Sequence, residues 1–477
     1  MNPHRKPTHG IVVLGAGAVG LATAMMLTRQ GHEVSVVERD ADPTPASPDE
    51  AWKSWDRPTI NQFRQAHYLQ AGARQLLDRQ LPDVAKALTD AGATEFDVLT
   101  MMPATISDRT SRVGDDRFLA LTARRPVIEY AVAKSAAQCV DVRRGSVVAG
   151  LLTSGGTGGD IPRVSGVHLT TGEVIAADLV VDAMGRGSKL PGWLRNIGAR
   201  PPSEVSEVGG FIYYTRYFRG DRLPSFPPDG LMSHVGSVTI LTLPADAGTW
   251  SVTLVIASED RALKGLREES VWTRVLAAYP DHAHWQDAET ISGIVPSAGL
   301  NDRIRQFVVD GTPVVTGVVA VGDSWAHTDP TLGRGITLGL MHAAATTEVI
   351  DQHLGDPLAL ALAHDEITRN RLAPWHRNAV RTGKTRTLEV RAEISGVPLD
   401  RRNDPASMMT RAFSVAMKHD ADMFRAYNEV ASLQSTPQEV LSRAGLPERV
   451  LQVAADHHEP PAAHPARDEL LRLIATR

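Results

Sequence analysis

The chain has 477 residues and a mass of 51.5 kDa, a length that accommodates about two to four domains and a sizeable core. Hydrophobic residues make up 42% and charged residues 22%, which excludes a disordered or fibrous protein, and the net charge of −5 argues against a nucleic-acid-binding protein. The single cysteine, Cys139, excludes an internal disulfide and a zinc site made of several thiolates, and it favours a reducing, cytoplasmic location.

The apolar run from Gly10 to Leu27 predicts a strand, a turn and a helix inside a domain. Its glycines distinguish it from a membrane anchor, and a second apolar strand follows that ends at Glu38. No other run approaches the roughly 20 apolar residues that a spanning helix needs, so no integral membrane segment is expected. The predicted elements are a strand over 11–14, a helix over 19–30 and a strand over 34–37.

The rest of the chain divides by its pattern into three regions. Short strands and helices alternate up to about residue 204, longer alternating β segments follow, and the chain from 356 onward is mostly helical. Near residue 318 a buried strand, a polar turn and a helix return. We therefore expect a discontinuous domain over 8–204 and 301–355, a β-rich domain over 205–300 and a helical region over 356–477. Further predicted elements are helices within 66–91, 126–138 and 335–350, and strands within 118–122, 140–152, 164–181, 210–219, 237–243 and 250–257.

The first chemical signal is the turn Gly15-Ala-Gly17-Ala18-Val19-Gly20, which lies between the first strand and the first helix. In this pattern the first glycine makes the turn, the second lets the backbone approach a pyrophosphate, and the third lets the helix pack on the sheet. The free N–H groups of the helix N-terminus favour an anion. Glu38, followed by Arg39, closes the next strand near the spacing of about 20 residues at which a carboxylate binds a ribose. The turn therefore predicts a dinucleotide site for FAD or NAD.

A second signal decides between the two nucleotides. Gly322-Asp323 closes a buried strand, and Pro330-Thr-Leu-Gly333-Arg-Gly335 then leads into a helix. This resembles the second flavin fingerprint of the FAD-dependent monooxygenase superfamily, of the p-hydroxybenzoate hydroxylase and squalene epoxidase type. The resemblance implies that Asp323 binds the ribityl chain and that the Pro330–Gly335 turn places backbone amides against the flavin ring. The family usually has Asn before this proline, whereas this chain has Asp329.

Other segments extend the resemblance. Arg64-Gln-Ala-His67 is similar to a helix opening in flavin epoxidases of polyether pathways, and Arg125 matches an arginine that bonds the cofactor. The segment from Asp182 to Ser188 falls where the hydroxylases carry an Asp-Gly motif, but Met184 replaces that aspartate, a form more similar to the epoxidases. The implied fold class is α/β: a Rossmann-like FAD-binding domain of the p-hydroxybenzoate hydroxylase type, with a β-sheet substrate domain and a helical C-terminal extension.

The resemblance implies an FAD-dependent monooxygenase with NAD(P)H as a transient reductant. Epoxidation or hydroxylation would proceed through a flavin C4a-hydroperoxide on a hydrophobic, polyketide-type small molecule. Because the cofactor carries the reactive step, we expect no catalytic triad, and no metal site is predicted. Two alternatives stay open. The first is a natural-product cyclase in which FAD is structural, which the loss of the aspartate at Met184 favours; the second is a flavin-dependent prenyl reductase.

Four side chains are candidates for the substrate cavity. His67 follows the epoxidase-like segment, His327 lies between the two parts of the second fingerprint, and Tyr213 and Tyr217 lie on a β segment. For each of them a place in the ordinary core or on the surface is the competing interpretation. The period of two along a strand places both tyrosines on one face of the sheet.

Overall fold

The computed structural model describes residues 10–154, 161–397, 399, 405–457 and 463–476. The three predicted domains also include positions 8–9, 155–160, 398, 400–404, 458–462 and 477, which lie outside the described residues. The strands are β1 (Gly10–Leu14), β2 (Glu33–Val37), β3 (Tyr68–Leu69), β4 (Thr94–Asp97), β5 (Leu119–Thr122), β6 (Asp141–Arg143), β7 (Val148–Thr153), β8 (Val164–Leu169), β9 (Val174–Ala176), β10 (Leu179–Asp182), β11 (Ser203–Glu207), β12 (Phe211–Arg219), β13 (Met232–Val235), β14 (Val238–Pro244), β15 (Thr249–Ala257), β16 (Glu289–Thr290), β17 (Val295–Ser297), β18 (Asp302–Gln306), β19 (Val308–Val309), β20 (Thr312–Pro313), β21 (Val318–Ala320) and β22 (Ala326–His327). The α-helices are α1 (Ala18–Arg29), α2 (Pro48–Lys53), α3 (Ala71–Gln80), α4 (Pro82–Asp90), α5 (Arg125–Ala136), α6 (Leu190–Asn196), α7 (Glu269–Ala277), α8 (Gly335–His353), α9 (Pro357–Ile367), α10 (Ala373–Ser395), α11 (Pro405–Ala416), α12 (Ala421–Ala431), α13 (Pro437–Leu441), α14 (Leu446–Asp456) and α15 (Arg467–Ala475).

A parallel sheet forms the first layer of the structure, with the strand order β21-β10-β1-β2-β6. Because side chains alternate along a strand, Ile11 and Val13 of β1 pack into the core beneath α1, α5 and α8. Val12 and Leu14 point the other way, into a core shared with the small sheet β7-β8-β9. Both faces of the sheet are covered, as is usual for parallel sheets, and the predicted α/β fold class is confirmed.

A second, antiparallel sheet has the order β13-β14-β15-β12-β16, and β17 also pairs with β12. One face packs against α7, where Tyr214, Leu254 and Trp272 are buried. The long strands predicted in this region are present. The segment predicted as strand-like over 140–152 contains two strands, β6 and β7, because the chain turns at Gly145, whose φ is 67°.

The C-terminal helices are fastened to both earlier parts of the chain. Arg386 of α10 donates hydrogen bonds to the carbonyls of Gly236 and Val238, at 2.8 and 3.0 Å. Arg425 of α12 forms an ion pair with Asp115 at 2.7 Å. Within the described ranges, none of the helices combines the length and the apolar character needed to cross a bilayer.

Arg124 and Asp246 tie the first α/β segment to the antiparallel sheet. Arg124 precedes α5, and Asp246 follows β14. Their side chains are each 1% exposed and pair at 2.5 Å, and the Asp246 carboxylate also accepts the backbone N–H of Arg124 at 2.7 Å. Removal of one partner would leave a buried charge without compensation.

We expect Asp246→Ala to lower the free energy of unfolding by about 3–5 kcal/mol. Urea unfolding followed by tryptophan fluorescence measures the loss. Asp90→Ala is the matched control, because the Lys86–Asp90 pair is 75% and 58% exposed and such pairs contribute less than about 1 kcal/mol. Equal effects of the two substitutions would contradict the structural role of the buried pair.

Candidate cofactor and substrate site

One long cleft runs from the glycine-rich turn after β1 to the face of the antiparallel sheet. Its walls come from the ends of β1, β2, β10 and β21, from the turn that precedes α8, and from the sheet. All the residues predicted to bind the cofactor line it: Gly15, Gly17, Ala18, Val19, Gly20, Glu38, Arg39, Arg125, Asp323, Pro330, Gly333 and Gly335. Of the substrate candidates, His67, Tyr213 and His327 line it and Tyr217 does not.

The three glycines of the first turn have the steric environments that a dinucleotide site needs. Gly15 has a φ of 103°, and a Cβ at Gly20 would lie 2.0 Å from the Gly15 carbonyl oxygen. A side chain at Gly20 would therefore push α1 away from the turn. A Cβ at Gly17 would meet no protein atom within 4 Å. Space for a ligand thus remains directly above this backbone, as the pyrophosphate of a dinucleotide requires.

Two helix N-termini border the cleft without a side-chain cap. The N-cap residues are Gly17 for α1 and Arg334 for α8, and neither makes a capping hydrogen bond with its side chain. The uncapped N–H groups and the positive ends of the helix dipoles favour negative charge. The N-terminus of α1 suits a pyrophosphate, and that of α8 suits the negative charge that a reduced flavin ring carries.

Glu38 is held rigidly at the end of β2. Its Oε2 accepts the N–H of Ala16 and a guanidinium N–H of Arg57, both at 2.8 Å, and its Oε1 accepts the N–H of Asp40 at 2.9 Å. A carboxylate has about four acceptor positions, so one on Oε1 remains for a ribose hydroxyl. The fully buried Arg57, which also pairs with Asp40 at 3.0 Å, carries no sequence signal for this role.

Arg125 lines the cleft with its guanidinium already engaged. It donates to Glu129 Oε1 at 2.5 and 2.8 Å and to Nε2 of His67 at 3.0 Å. Since Nε2 accepts, the Nδ1 of His67 carries the proton and donates to the Gln65 carbonyl at 3.0 Å. Burial, followed by the charge of Arg125, lowers the pKa of His67 to about 3. His67 is therefore a neutral support for Arg125.

A network of buried polar groups fixes Asp323 relative to the turn after β10. The buried carboxylate of Asp182 accepts from Ser188 Oγ at 2.5 Å and from Ser324 Oγ at 3.0 Å. Ser324 in turn accepts the N–H of Gly185 at 2.9 Å. Arg186 lies 3.5 Å from the Asp323 carboxylate. The sequence indicated both turns by resemblance. It did not reveal that the turn after β10 contacts the turn after β21 through Ser324.

His327 presents a hydrogen-bond acceptor to the cleft. Its Nδ1 is 3.0 Å from the carbonyl of Asn301, which can only accept, so Nδ1 carries the proton. Burial and the nearby charges of Arg186 and Arg303 lower the pKa of His327 to about 2. The Nε2 atom therefore keeps its lone pair at neutral pH.

The two tyrosines of β12 occupy different environments, although they lie on the same face of the sheet. Tyr213 donates to Asp329 and is 2.7 Å from Thr331 Oγ1, so it supports the turn that precedes α8. Tyr217 is buried beyond the cleft, with its ring 4.9 Å from that of Trp52. The expectation that Tyr217 lines the substrate cavity is thereby corrected: the cleft ends before its position on the strand.

The residues of the cleft fit FAD. The open space above Gly17 and the uncapped N-terminus of α1 suit the pyrophosphate, and the uncapped N-terminus of α8 suits the ring. The free acceptor position on Glu38 suits the ribose, and the carboxylate of Asp323 suits the ribityl hydroxyls. The sequence missed Arg57 and three polar residues at the sheet end of the cleft, Gln65, Thr215 and Thr253.

Comparisons with known proteins agree with this geometry. Residues 10–55 match the family model described as FAD dependent oxidoreductase. The chain is 29% identical over 372 residues to Protein Rv3254 of Mycobacterium tuberculosis, a match that covers 71% of this chain and 72% of that protein.

Three solved structures are similar in fold. PqsL of Pseudomonas aeruginosa, also solved in complex with 2-aminobenzoylacetate, is 18% identical with a TM-score of 0.56, covering 82% of this chain and 99% of that one. OxyS, the anhydrotetracycline hydroxylase of Streptomyces rimosus, is 18% identical with a TM-score of 0.54, covering 90% and 76%. PyrE3, the Diels-Alderase of pyrroindomycin biosynthesis, is 15% identical with a TM-score of 0.53, covering 89% and 80%.

The fold is thus that of the FAD-dependent monooxygenases, and the resemblance expected from the sequence is confirmed. The match over residues 10–55 and the shared fold both support an FAD-dependent oxidoreductase.

Gly17→Ala tests whether the ligand lies on the first turn. The added methyl group meets no protein atom, so the variant should fold normally but lose FAD affinity by at least about tenfold, equivalent to about 1.4 kcal/mol. Titration of the apoprotein by quenching of flavin fluorescence measures the affinity. Gly10→Ala is the matched control, because its methyl group also meets no protein atom within 4 Å and Gly10 lies outside the cleft. Unchanged affinity in Gly17→Ala would place the nucleotide elsewhere.

The lowered histidine pKa values predict sensitivity to acid. The pKa of an unfolded histidine is about 6.5, whereas that of folded His327 is about 2. The unfolded chain therefore binds protons that the folded chain does not, and stability falls as pH drops from about 6.5 towards 2. At pH 5 this group costs about 2 kcal/mol.

Urea unfolding at pH 7 and pH 5 measures this loss. We expect His327→Gln to lose about 2 kcal/mol less than the wild type between the two pH values. His353→Gln, at the partly exposed end of α8, is the control and should retain most of the wild-type loss. A pH dependence unaltered by His327→Gln would mean that folding does not lower the pKa of this imidazole.

Proposed function

We propose that the protein is an FAD-dependent monooxygenase that hydroxylates or epoxidises a hydrophobic small molecule of natural-product type, with NAD(P)H as a transient reductant. The observation that carries the proposal is the continuity of the cleft. It joins the two flavin-type turns to a sheet face that contributes Leu241, Leu243 and Thr253, and it is closed on another side by Trp375 of α10. A cofactor ring at the Pro330–Gly335 turn would therefore share one cleft with the apolar side chains of Leu241 and Leu243.

The residues of the chain then have distinct roles. Bound FAD supplies the electron transfer and the oxygen activation. Glu38 and Asp323 orient it through its hydroxyl groups, and the N-terminus of α8 stabilises negative charge on its ring. The apolar wall formed by Leu241 and Leu243 keeps water away from the reacting atoms. Burial and neighbouring arginine charges lower the pKa of both His67 and His327, so both imidazoles are weak bases and neither is assigned a proton transfer.

A second candidate is a cyclase in which FAD is structural. Two observations support it: PyrE3, a Diels-Alderase, shares the fold, and Met184 stands where the hydroxylases carry an aspartate. The apolar cleft would serve a ring closure as well as an oxygenation, because both need a dry space that fixes the substrate.

The first test is the visible spectrum of the purified protein before and after NADPH, and then NADH, under anaerobic conditions. The monooxygenase predicts that the flavin bleaches, slowly without substrate, and that its colour returns with oxygen uptake when air is admitted. A flavin that never bleaches with either nucleotide contradicts the monooxygenase. That result would favour the cyclase and lead to assays of ring formation without oxygen uptake.

A further inference from the structure

The sheet end of the cleft contains a row of three side chains across neighbouring strands. Leu241 of β14 is opposite Thr253 of β15, and Thr253 is opposite Thr215 of β12. All three line the cleft. The two threonines are the polar members of this row. Their hydroxyls therefore determine which polar groups of a bound molecule find a hydrogen-bond partner here.

The direction of the hydrogen bonds in this row is fixed by Gln65. Its Nε2 lies 3.1 Å from the Val295 carbonyl and 3.4 Å from the Pro296 carbonyl, so this atom is the donor and Oε1 is the acceptor. A flipped amide would direct its oxygen at two other oxygens. Oε1 lies 2.9 Å from the hydroxyl of Thr215, which must therefore donate to it.

The hydroxyl of Thr253 is consequently left as an acceptor. A hydroxyl has one proton to donate, and Thr215 donates its proton to Gln65. The 2.8 Å contact between the Thr215 and Thr253 hydroxyls must then be donated by Thr253. Both protons of the chain Thr253→Thr215→Gln65 are used inside the protein, and Thr253 presents lone pairs only.

Two neighbouring polar side chains of the cleft already use their protons inside the protein. The hydroxyl of Tyr213 donates to Asp329, and the one N–H of His67 donates to a backbone carbonyl. Elsewhere in the cleft His327 also presents a lone pair. The cleft is bordered by the guanidinium groups of Arg125 and Arg186, which disfavour a cationic ammonium donor.

We propose that Thr253 is a specificity-determining acceptor for a neutral hydroxyl group of the substrate. The substrate class is then an apolar molecule that carries an un-ionised phenol or alcohol, and not a carboxylate, whose oxygens would face the lone pairs of Thr253. This inference rests on the proposed function in one respect, because it calls the bound molecule a substrate. Binding to the oxidised enzyme tests the inference independently of any turnover.

The experiment measures binding of three probes to the FAD-loaded protein at pH 7, without reductant, by isothermal titration calorimetry. The probes are 1-naphthol, 1-methoxynaphthalene and 1-naphthoate, which share one ring system and differ in the polar group. We expect the naphthol to bind about 3- to 10-fold more tightly than the methyl ether, the effect of one neutral hydrogen bond, and the carboxylate to bind most weakly.

Two variants assign this preference to Thr253. Thr253→Val removes the acceptor in nearly the same volume and should equalise the naphthol and its methyl ether, whereas Thr253→Ser restores the hydroxyl and should keep the wild-type ratio. Equal binding of the two neutral probes to the wild type, tighter binding of the carboxylate, no binding of any probe, or an unchanged ratio in Thr253→Val would overturn the proposal. The wild-type comparison stands even if Thr253→Val does not fold. Absence of flavin reduction or oxygen uptake would contradict the proposed monooxygenase and leave these binding ratios untouched.

Discussion

The cleft exists because three parallel strands end at one edge of the same sheet. β1, β10 and β21 are neighbours, so the turns that follow them, at Gly15, Ala183 and Gly322, are forced together. The contact is close enough that a Cβ on Gly15 would lie 2.7 Å from the carbonyl oxygen of Ala183. The buried carboxylate of Asp182 then locks the second turn to the third through Ser324. The position of Asp323, and with it the second half of the cofactor site, depends on this edge.

Two arginines of the site are paired with carboxylates of the same region. Arg57 is matched by Glu38 and Asp40, and Arg125 is matched by Glu129. Buried charges of this kind persist only when they are paired. Arginines engaged in this way have less capacity to attract carboxylates from solution. Attraction for the cofactor's negative charge can instead come from the backbone N–H groups of α1 and α8, whose direction is fixed by the helices.

The sequence predicted those parts of the site that are built from consecutive residues. The turn at Gly15–Gly20, Glu38 at the end of a strand, and the segment from Asp323 to Gly335 each carry their chemistry in local spacing, and all of these line one cleft. Gln65, Thr215 and Thr253 belong to separate elements, and only the pairing of β12 with β15 brings the two threonines together. The difference between Tyr213 and Tyr217 has the same origin. Periodicity identifies the face of a strand, but the neighbouring elements determine how far along it a cleft extends.

The C-terminal helices complete the site and are more than an extension. Arg334, inside the second flavin-type turn, donates to Asn378 of α10 at 2.8 Å and to the Val430 carbonyl of α12 at 3.1 Å. The turn that would bind the flavin ring is thus fixed by hydrogen bonds to α10 and α12, two helices that lie later in the chain. Trp375 and Ala379 of α10 also form part of the cleft wall. Because the same helix fixes the turn and bounds the space in front of it, a change in the packing of α10 would alter cofactor position and cleft shape together.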